Sequence, residues 1–200
     1  MSEVEAILLA AGAATRYRAA GGPEPSKLVA PYRGAPLARA AAEAALLAGL
    51  RLTVVTGHAR EAVEAALAGL PLAFAHNADY ATGIASSLKI GVGAVGDRAS
   101  GVLVLLGDMP AVTPHLLHSL VAASARRPDA LAVIPVYAGA RGNPVLLARR
   151  LFPDIEGLEG DEGARRLLKD LDPALVVEID LGDAAVALDI DTPEDLAGQL

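Results

Sequence analysis

This sequence predicts a three-layer α/β/α fold with a mostly parallel central sheet, on three observations. Short apolar runs at residues 4–10, 51–56, 71–75, 101–106, 131–136 and 175–179 are bounded by glycine, proline or charge. They run continuously instead of alternating, as strands do when both faces are covered. Helical patterns at 35–48, 60–68, 84–95, 114–125 and 163–171 separate them, so strand and helix alternate and right-handed crossovers follow.

In chain order, the first strand ends in Ala10-Ala11-Gly12, small residues at a turn. Residues 19–26, rich in Ala, Gly and Pro, read as a mobile loop. Alanine-rich helices at 35–48 and 60–68 flank the second strand. The helix at 84–95 contains Gly91-Val92-Gly93-Ala94-Val95-Gly96, which has the letters of a dinucleotide fingerprint but ends a helix instead of joining a strand to one. Thr113-Pro114 reads as the N-cap and first residue of the helix at 114–125. Thr192-Pro193-Glu194-Asp195 repeats that pattern, with Asp195 serving the cap. The segment before it reads as a strand, which sets Asp189 and Asp191 on one face and turns Ile190 into the core.

The chain has 200 residues, 53% of them hydrophobic, enough for one domain spanning 1–200 with a sizeable core. Aromatics are only 3%, so packing falls to small and branched aliphatic side chains. No run approaches the roughly 18 apolar residues of a membrane span. Glu3 and Glu5 stand where a signal peptide carries positive charge, so a soluble cytoplasmic protein with no membrane partner is expected. The lack of cysteine excludes disulfides, thiolate nucleophiles and cysteine-based metal sites. A net charge of −7 argues against a nucleic-acid surface. An anionic ligand therefore needs placed cations or a metal.

In an open parallel sheet, ligands sit beyond the carboxyl ends of the strands. After the first strand, the Gly12 turn can aim peptide N–H groups at phosphate oxygens while Arg16 and Lys27 neutralise charge, a grip for a triphosphate. By itself the segment reads equally well as a strand-to-helix turn with two solvated basic residues. After the fourth strand, Gly107-Asp108-Met109-Pro110 offers a carboxylate suited to Mg²⁺, or an aspartate in a proline turn. His115 and His118 read as a solvated helix face, and His58 as a surface turn. A phosphate loop ending in Gly-Lys-Ser/Thr is absent.

Leu9-Ala10-Ala11-Gly12, with Thr15-Arg16 and the downstream Lys27, resembles the signature loop of nucleotidyltransferases of the molybdenum cofactor cytidylyltransferase type, in the MobA-like NTP transferase family. The segment from Asn77 to Leu88, with its Gly83 and Ser86-Ser87, is similar to the family's nucleobase element. Gly107-Asp108-Met109-Pro110 resembles its metal motif, and the stretch around Asp191 resembles the segment bringing a second metal ligand. Gly142-Asn143-Pro144 and Gly160-Asp161-Glu162-Gly163-Ala164-Arg165 look like its acceptor-side elements.

The resemblance implies a Rossmann-like nucleotidyltransferase fold in which a phosphate monoester attacks the α-phosphorus of a nucleoside triphosphate and pyrophosphate leaves. It assigns nucleotide binding to Leu9, Ala10, Ala11, Gly12, Arg16, Lys27, Gly83, Ser87 and Asp108. It assigns catalysis to Arg16, Lys27 and Asp108, Mg²⁺ to Asp108 and Asp191, and the acceptor to Asn143 and Asp161. In the family, Ala11 goes with CTP, and molybdopterin is the acceptor, with transient contact to a molybdenum hydroxylase. The alternatives are GTP or another phosphorylated acceptor and, from another class, a non-catalytic nucleotide- or cofactor-binding maturation module. This chain departs from the family at Asn143, where histidine is usual, at Ala14, where serine is frequent, and in the ten residues between Arg16 and Lys27. A phosphate monoester, with its second pKa near 6, is mostly dianionic at neutral pH, so the reaction requires no general base.

Overall fold

The computed structural model describes residues 3–161 and 163–198, so Glu162 of the acceptor-side motif lies outside the described residues. From the N-terminus, β1 (Glu3–Ala10) leads through an open turn into the short α1 (Thr15–Ala19). A tight hairpin of β2 (Pro31–Tyr32) and β3 (Ala35–Pro36) introduces α2 (Leu37–Leu47). Next come β4 (Leu52–Thr56), α3 (Arg60–Ala66), β5 (Ala73–His76), α4 (Ile84–Gly93), β6 (Ala99–Leu106) and α5 (Pro114–Arg126). The chain continues through β7 (Ala132–Tyr137), β8 (Ala140–Arg141), β9 (Val145–Ala148), α6 (Phe152–Glu156), α7 (Gly163–Asp170), β10 (Val176–Asp180) and α8 (Pro193–Ala197).

The main sheet runs in the order β10-β7-β9-β6-β1-β4-β5, with β8 paired to β7. β1 pairs in parallel with both β4 and β6, so the strand order reverses beside β1 and opens a crevice at the carboxyl ends of β1 and β6. β9 runs against its neighbours, antiparallel to both β6 and β7, and the two-residue β8 is antiparallel to β7. The sequence reading missed β9 because Val145-Leu146-Leu147-Ala148 is only four residues long and follows a proline. Gly101 admits this strand: a Cβ there would stand 2.6 Å from the Leu147 carbonyl oxygen.

Alternation along β1 divides the interior in two. Leu8 joins Ala41, Ala45, Leu117 and Leu120 under α2 and α5. Ile7 joins Leu88, Val92, Ile155 and Leu168 under α4, α6 and α7. Gly91 of the apparent fingerprint is inside α4, where a Cβ would press within 2.7 Å of Ile7 Cδ1, so it serves helix-to-sheet packing. A third cluster of Tyr17, Ala30, Tyr32, Leu37, Ile190 and Leu196 ties α1 and the chain after it to the C-terminal segment.

Both expected caps are present. Thr113 Oγ1 accepts from the Leu116 N–H at 3.2 Å, and Thr192 and Asp195 form a reciprocal capping box. The segment before Thr192 is not a strand, however. Residues Ala184–Ala187 form a 3₁₀ turn, and the chain then runs without regular structure to Thr192. Ile190 is buried as expected, fixed by Tyr17, Tyr32 and Leu196 and by its N–H donating to the Asp108 carbonyl at 3.0 Å. The loop at 19–26 is fastened at several points: Tyr17 Oη donates to Glu24, His58 Nε2 donates to the Pro25 carbonyl at 3.1 Å, and Ser26 is fully buried.

Candidate active site

The turns that leave β1 and β6 meet at the crevice. Gly107 N–H donates to the Leu9 carbonyl at 3.1 Å and His58 N–H to the Ala11 carbonyl at 3.1 Å, which draws the ends of three strands together. The peptide N–H groups of Gly12, Ala13 and Ala14 donate to no described residue, and a Cβ at Gly12 would meet only open space. This row of N–H donors faces a cavity of about 500 Å³. Leu9, Ala11, Gly12, Arg16, Lys27, Gly83, Ser87, Asp108, Asp161 and Asp191 all line it. Ala10 does not: it points into the α2 side of the core, 1% exposed, because it follows Leu9 on an alternating strand.

Lys27 is the hub of the polar floor. Its Nζ lies 2.7 Å from Asp108 Oδ2 and 2.8 Å from Asp191 Oδ1, so two carboxylates 83 positions apart in sequence converge on one ammonium. Arg16 bonds the other oxygen of Asp191. Burial works to lower the Lys27 pKa, but the two carboxylates outweigh it and hold the ammonium above its ordinary value. Asp189 lines neither this cavity nor its neighbour. Partial burial and the nearby charges of Asp191 and Asp108 raise its pKa. The expected shared face for Asp189 and Asp191 therefore fails with the strand that was to create it.

Asp108 Oδ1 is buried and has no hydrogen-bond partner, the one such side-chain atom among the described residues. A buried carboxylate oxygen without a donor is costly, and a cation at that oxygen removes the cost. No group of three or more acidic, histidine or cysteine side chains among the described residues could hold a metal. Two carboxylates fit a hard cation that completes its shell with phosphate oxygens and water.

The nucleobase segment forms one wall of the cavity. Asn77 is 2% exposed, and its amide donates to Ser86 Oγ at 2.8 Å and Ser87 Oγ at 2.9 Å. It is a bracket for the wall of the cavity, which is lined on this side by Tyr80, Ala81, Gly83, Ile84 and the buried Ser87. Tyr80 and Ala81 went unassigned in the sequence, although they sit between the quoted Asn77 and Gly83. At the start of α4, Ala85 N–H donates to the Gly160 carbonyl at 3.0 Å and Ser86 N–H to the Gly83 carbonyl at 3.2 Å.

The bond from Ala85 to Gly160 belongs to a close contact between the base-side and acceptor-side elements. A Cβ at Gly83, whose φ is +115°, would stand 2.3 Å from the Gly160 backbone. Gly83→Ala is expected to cost about 1–3 kcal/mol from backbone strain alone and to push the 160–163 turn away from α4. The checks are a chemical denaturation curve and the KM values for both substrates; unchanged stability would remove this contact from the account.

A second cleft adjoins the first and shares Leu9, Arg16, Ile84, Leu106 and Asp161 with it. Asn143 lines only this second cleft, on a segment where Gly142 lies so close to Val186 that a Cβ would stand 2.3 Å from its carbonyl oxygen. His115 and His118 lie elsewhere, on the exposed face of α5, with His118 Nε2 donating to the Ala48 carbonyl at 3.1 Å.

Residues 6–175 match the MobA-like NTP transferase domain. The chain belongs to this family. MobA-like relatives with established names include a molybdenum cofactor cytidylyltransferase of Escherichia coli, 26% identical over 200 residues, covering 98% of this chain and 94% of that protein. The nicotine blue oxidoreductase of Paenarthrobacter nicotinovorans is 32% identical over 202 residues, covering 96% and 94%. The purine catabolism protein PucB of Bacillus subtilis is 38% identical over 97 residues, a match spanning 48% of this chain and 45% of that protein. Among solved structures, Rv0371c of Mycobacterium tuberculosis complexed with manganese superposes with a TM-score of 0.82 at 29% identity, covering 100% of this chain and 98% of that one. The three-layer arrangement is thus that of a MobA-like nucleotidyltransferase. Among the described residues no helix is long and apolar enough to cross a membrane.

Proposed function

We propose that this nucleotidyltransferase moves CMP from CTP to the phosphate of molybdopterin and releases pyrophosphate, as a single cytoplasmic domain dependent on Mg²⁺. The observation that carries the reading is the unpartnered Asp108 Oδ1 beside Asp191, at the foot of a turn with three free N–H groups. In this reading Asp108 and Asp191 hold the divalent cation, which supplies positive charge against the α-phosphoryl oxygens when bound. The manganese complex of a relative supports a divalent ion.

Gly12, Ala13 and Ala14 bind the phosphate tail through their N–H groups, and Arg16 and Lys27 stabilise the charge that builds on departing pyrophosphate. Tyr80, Ala81, Gly83 and Ser87 border the base. Asn143 and Asp161 orient the acceptor so that its phosphate meets the α-phosphorus in line. The acceptor phosphate is already a dianion at neutral pH, so no side chain has to take a proton. Ala11 and the full-length match to a cytidylyltransferase favour CTP and molybdopterin.

Each of the four triphosphates, incubated with Mg²⁺ with and without molybdopterin, tests this by pyrophosphate release. CTP with molybdopterin is expected to be the fastest pair. A faster reaction with GTP, or with another phosphorylated acceptor, reassigns the substrates; nucleotide binding without pyrophosphate under any condition makes the protein a maturation module. A transient contact with a molybdenum hydroxylase follows from the same reading.

A further inference from the structure

His58 does not line the cavity, yet it touches three of the segments that build it. β4 ends at Thr56, and Gly57 then passes so close to two neighbours that a Cβ there would stand 2.8 Å from Ala11 Cβ and 2.7 Å from Tyr80 Cβ. The His58 N–H donates to the Ala11 carbonyl at 3.1 Å, and Ala59, with φ +53°, turns the chain into α3. The backbone of His58 is therefore held on both sides, and its side chain works in two directions. Its ring lies 5.9 Å from the Tyr80 ring at a tilt of 57°, inside the range of a favourable aromatic pair. Its Nε2 lies 3.1 Å from the Pro25 carbonyl; a carbonyl only accepts, so Nε2 carries the proton. Pro25 leads into the fully buried Ser26, whose Oγ accepts from the Leu28 N–H at 3.3 Å and caps the 3₁₀ turn Lys27–Val29. Tyr80 is in the cavity wall and Lys27 in its polar floor, so one imidazole spans the two. The reading of His58 as a surface turn missed this, because its partner Pro25 lies 33 positions away.

Resting on the reading of this cavity as a nucleotide site bordered by Tyr80 at the base, we propose that His58 is a positioning residue that makes the phosphate grip depend on the base. A base that seats against Tyr80 keeps the imidazole facing Pro25, and the bond to Pro25 holds the turn that presents Lys27. A base that does not seat shifts the Tyr80 ring, and the imidazole follows it. The strap of residues 19–26 then loosens although the triphosphate is the same. Selection among nucleotides is thereby expressed at the pyrophosphate end, where stabilisation of the leaving group sets the rate, and not in base contacts alone.

Amide hydrogen exchange of residues 17–26, followed in the full chain with Mg²⁺ and each of the four triphosphates at saturation, tests the link. Every nucleotide brings the same triphosphate, so a base-dependent rate in this strap has to be transmitted to it. In the wild type, exchange is expected to be up to about tenfold slower with the tightest-binding triphosphate than with the weakest, the worth of one hydrogen bond. His58→Phe keeps a ring beside Tyr80 and removes the donor, so exchange should be fast with all four. His58→Gln keeps a donor for Pro25 without the ring, so exchange should be slow with all four. A purely structural role predicts no base dependence in the wild type, and that result overturns the proposal. Base dependence that survives in either variant overturns it as well; should His58→Phe fail to fold in a thermal melt, His58→Gln alone decides. The comparison ranks nucleotides by affinity and needs no turnover, so a preference other than CTP, or missing pyrophosphate, sinks the proposed function and leaves this result readable. A protein that binds no triphosphate sinks both.

Discussion

Asp108→Asn is expected to lower kcat/KM for pyrophosphate release by about 10³-fold, in the range seen when a preorganised charge-stabilising contact is removed. The amide keeps the size of the carboxylate, so the Leu9 to Gly107 bond and the Ile190 anchor at the Asp108 carbonyl persist. What changes is charge, both at the buried Oδ1 that no donor among the described residues satisfies and at Oδ2, which pairs with Lys27 Nζ at 2.7 Å. Single-turnover assays across a Mg²⁺ series, with a thermal melt to verify folding, make the check. If the variant folds and retains wild-type turnover at ordinary Mg²⁺, residue 108 is not a metal holder.

Lys27→Met is expected to move activity and metal affinity in opposite directions. Without the ammonium, Asp108 and Asp191 face each other with only the exposed Arg16 as a counter-charge. Breaking a buried pair costs about 3–5 kcal/mol, and here less, because each carboxylate side chain is 20% exposed. A divalent cation replaces the missing charge, so Mg²⁺ should raise the Tm of the variant more than that of the wild type. Turnover should nevertheless fall by roughly 10²-fold or more, since the grip on pyrophosphate is lost.

The pH dependence has a definite sign. The Lys27 pKa is raised above its ordinary value of 10.5, so its stabilisation is present below that value and is lost as pH rises through the folded-state pKa. The stability gap between wild type and Lys27→Met should therefore be level from neutral pH to the ordinary lysine value and shrink above it. A gap that closes near neutrality would mean that Lys27 is not held as an ammonium by the two carboxylates.

Continuous apolar runs and capping residues were enough to read the layers and the parallel strands from sequence, because local patterns encode both. Asp108 was also legible: a carboxylate directly after a buried strand has to emerge at the rim of the sheet. The position of Asp191 depends on something sequence does not encode locally, the packing of Ile190 among Tyr17, Tyr32 and Leu196. An alternation rule brought Asp191 to the crevice for the wrong reason, and it failed for Asp189. The role of Asn77 was hidden because an asparagine bracing two serines and one bordering a base leave the same letters. β9 escaped because its four residues are held by hydrogen bonds to distant strands and carry no helix or turn signal of their own.

The reversed direction of β9 has a lasting effect on what this architecture can become. A parallel strand would need a helical crossover to return the chain, but an antiparallel one is entered by a short hairpin, so residues 138–144 stay at the ligand-bearing edge. Ala138 and Gly139 turn there in left-handed conformations. Descendants could lengthen, shorten or recolour that hairpin and so change partner molecule, while β1 and β6 keep one ancestral way of handling nucleotides.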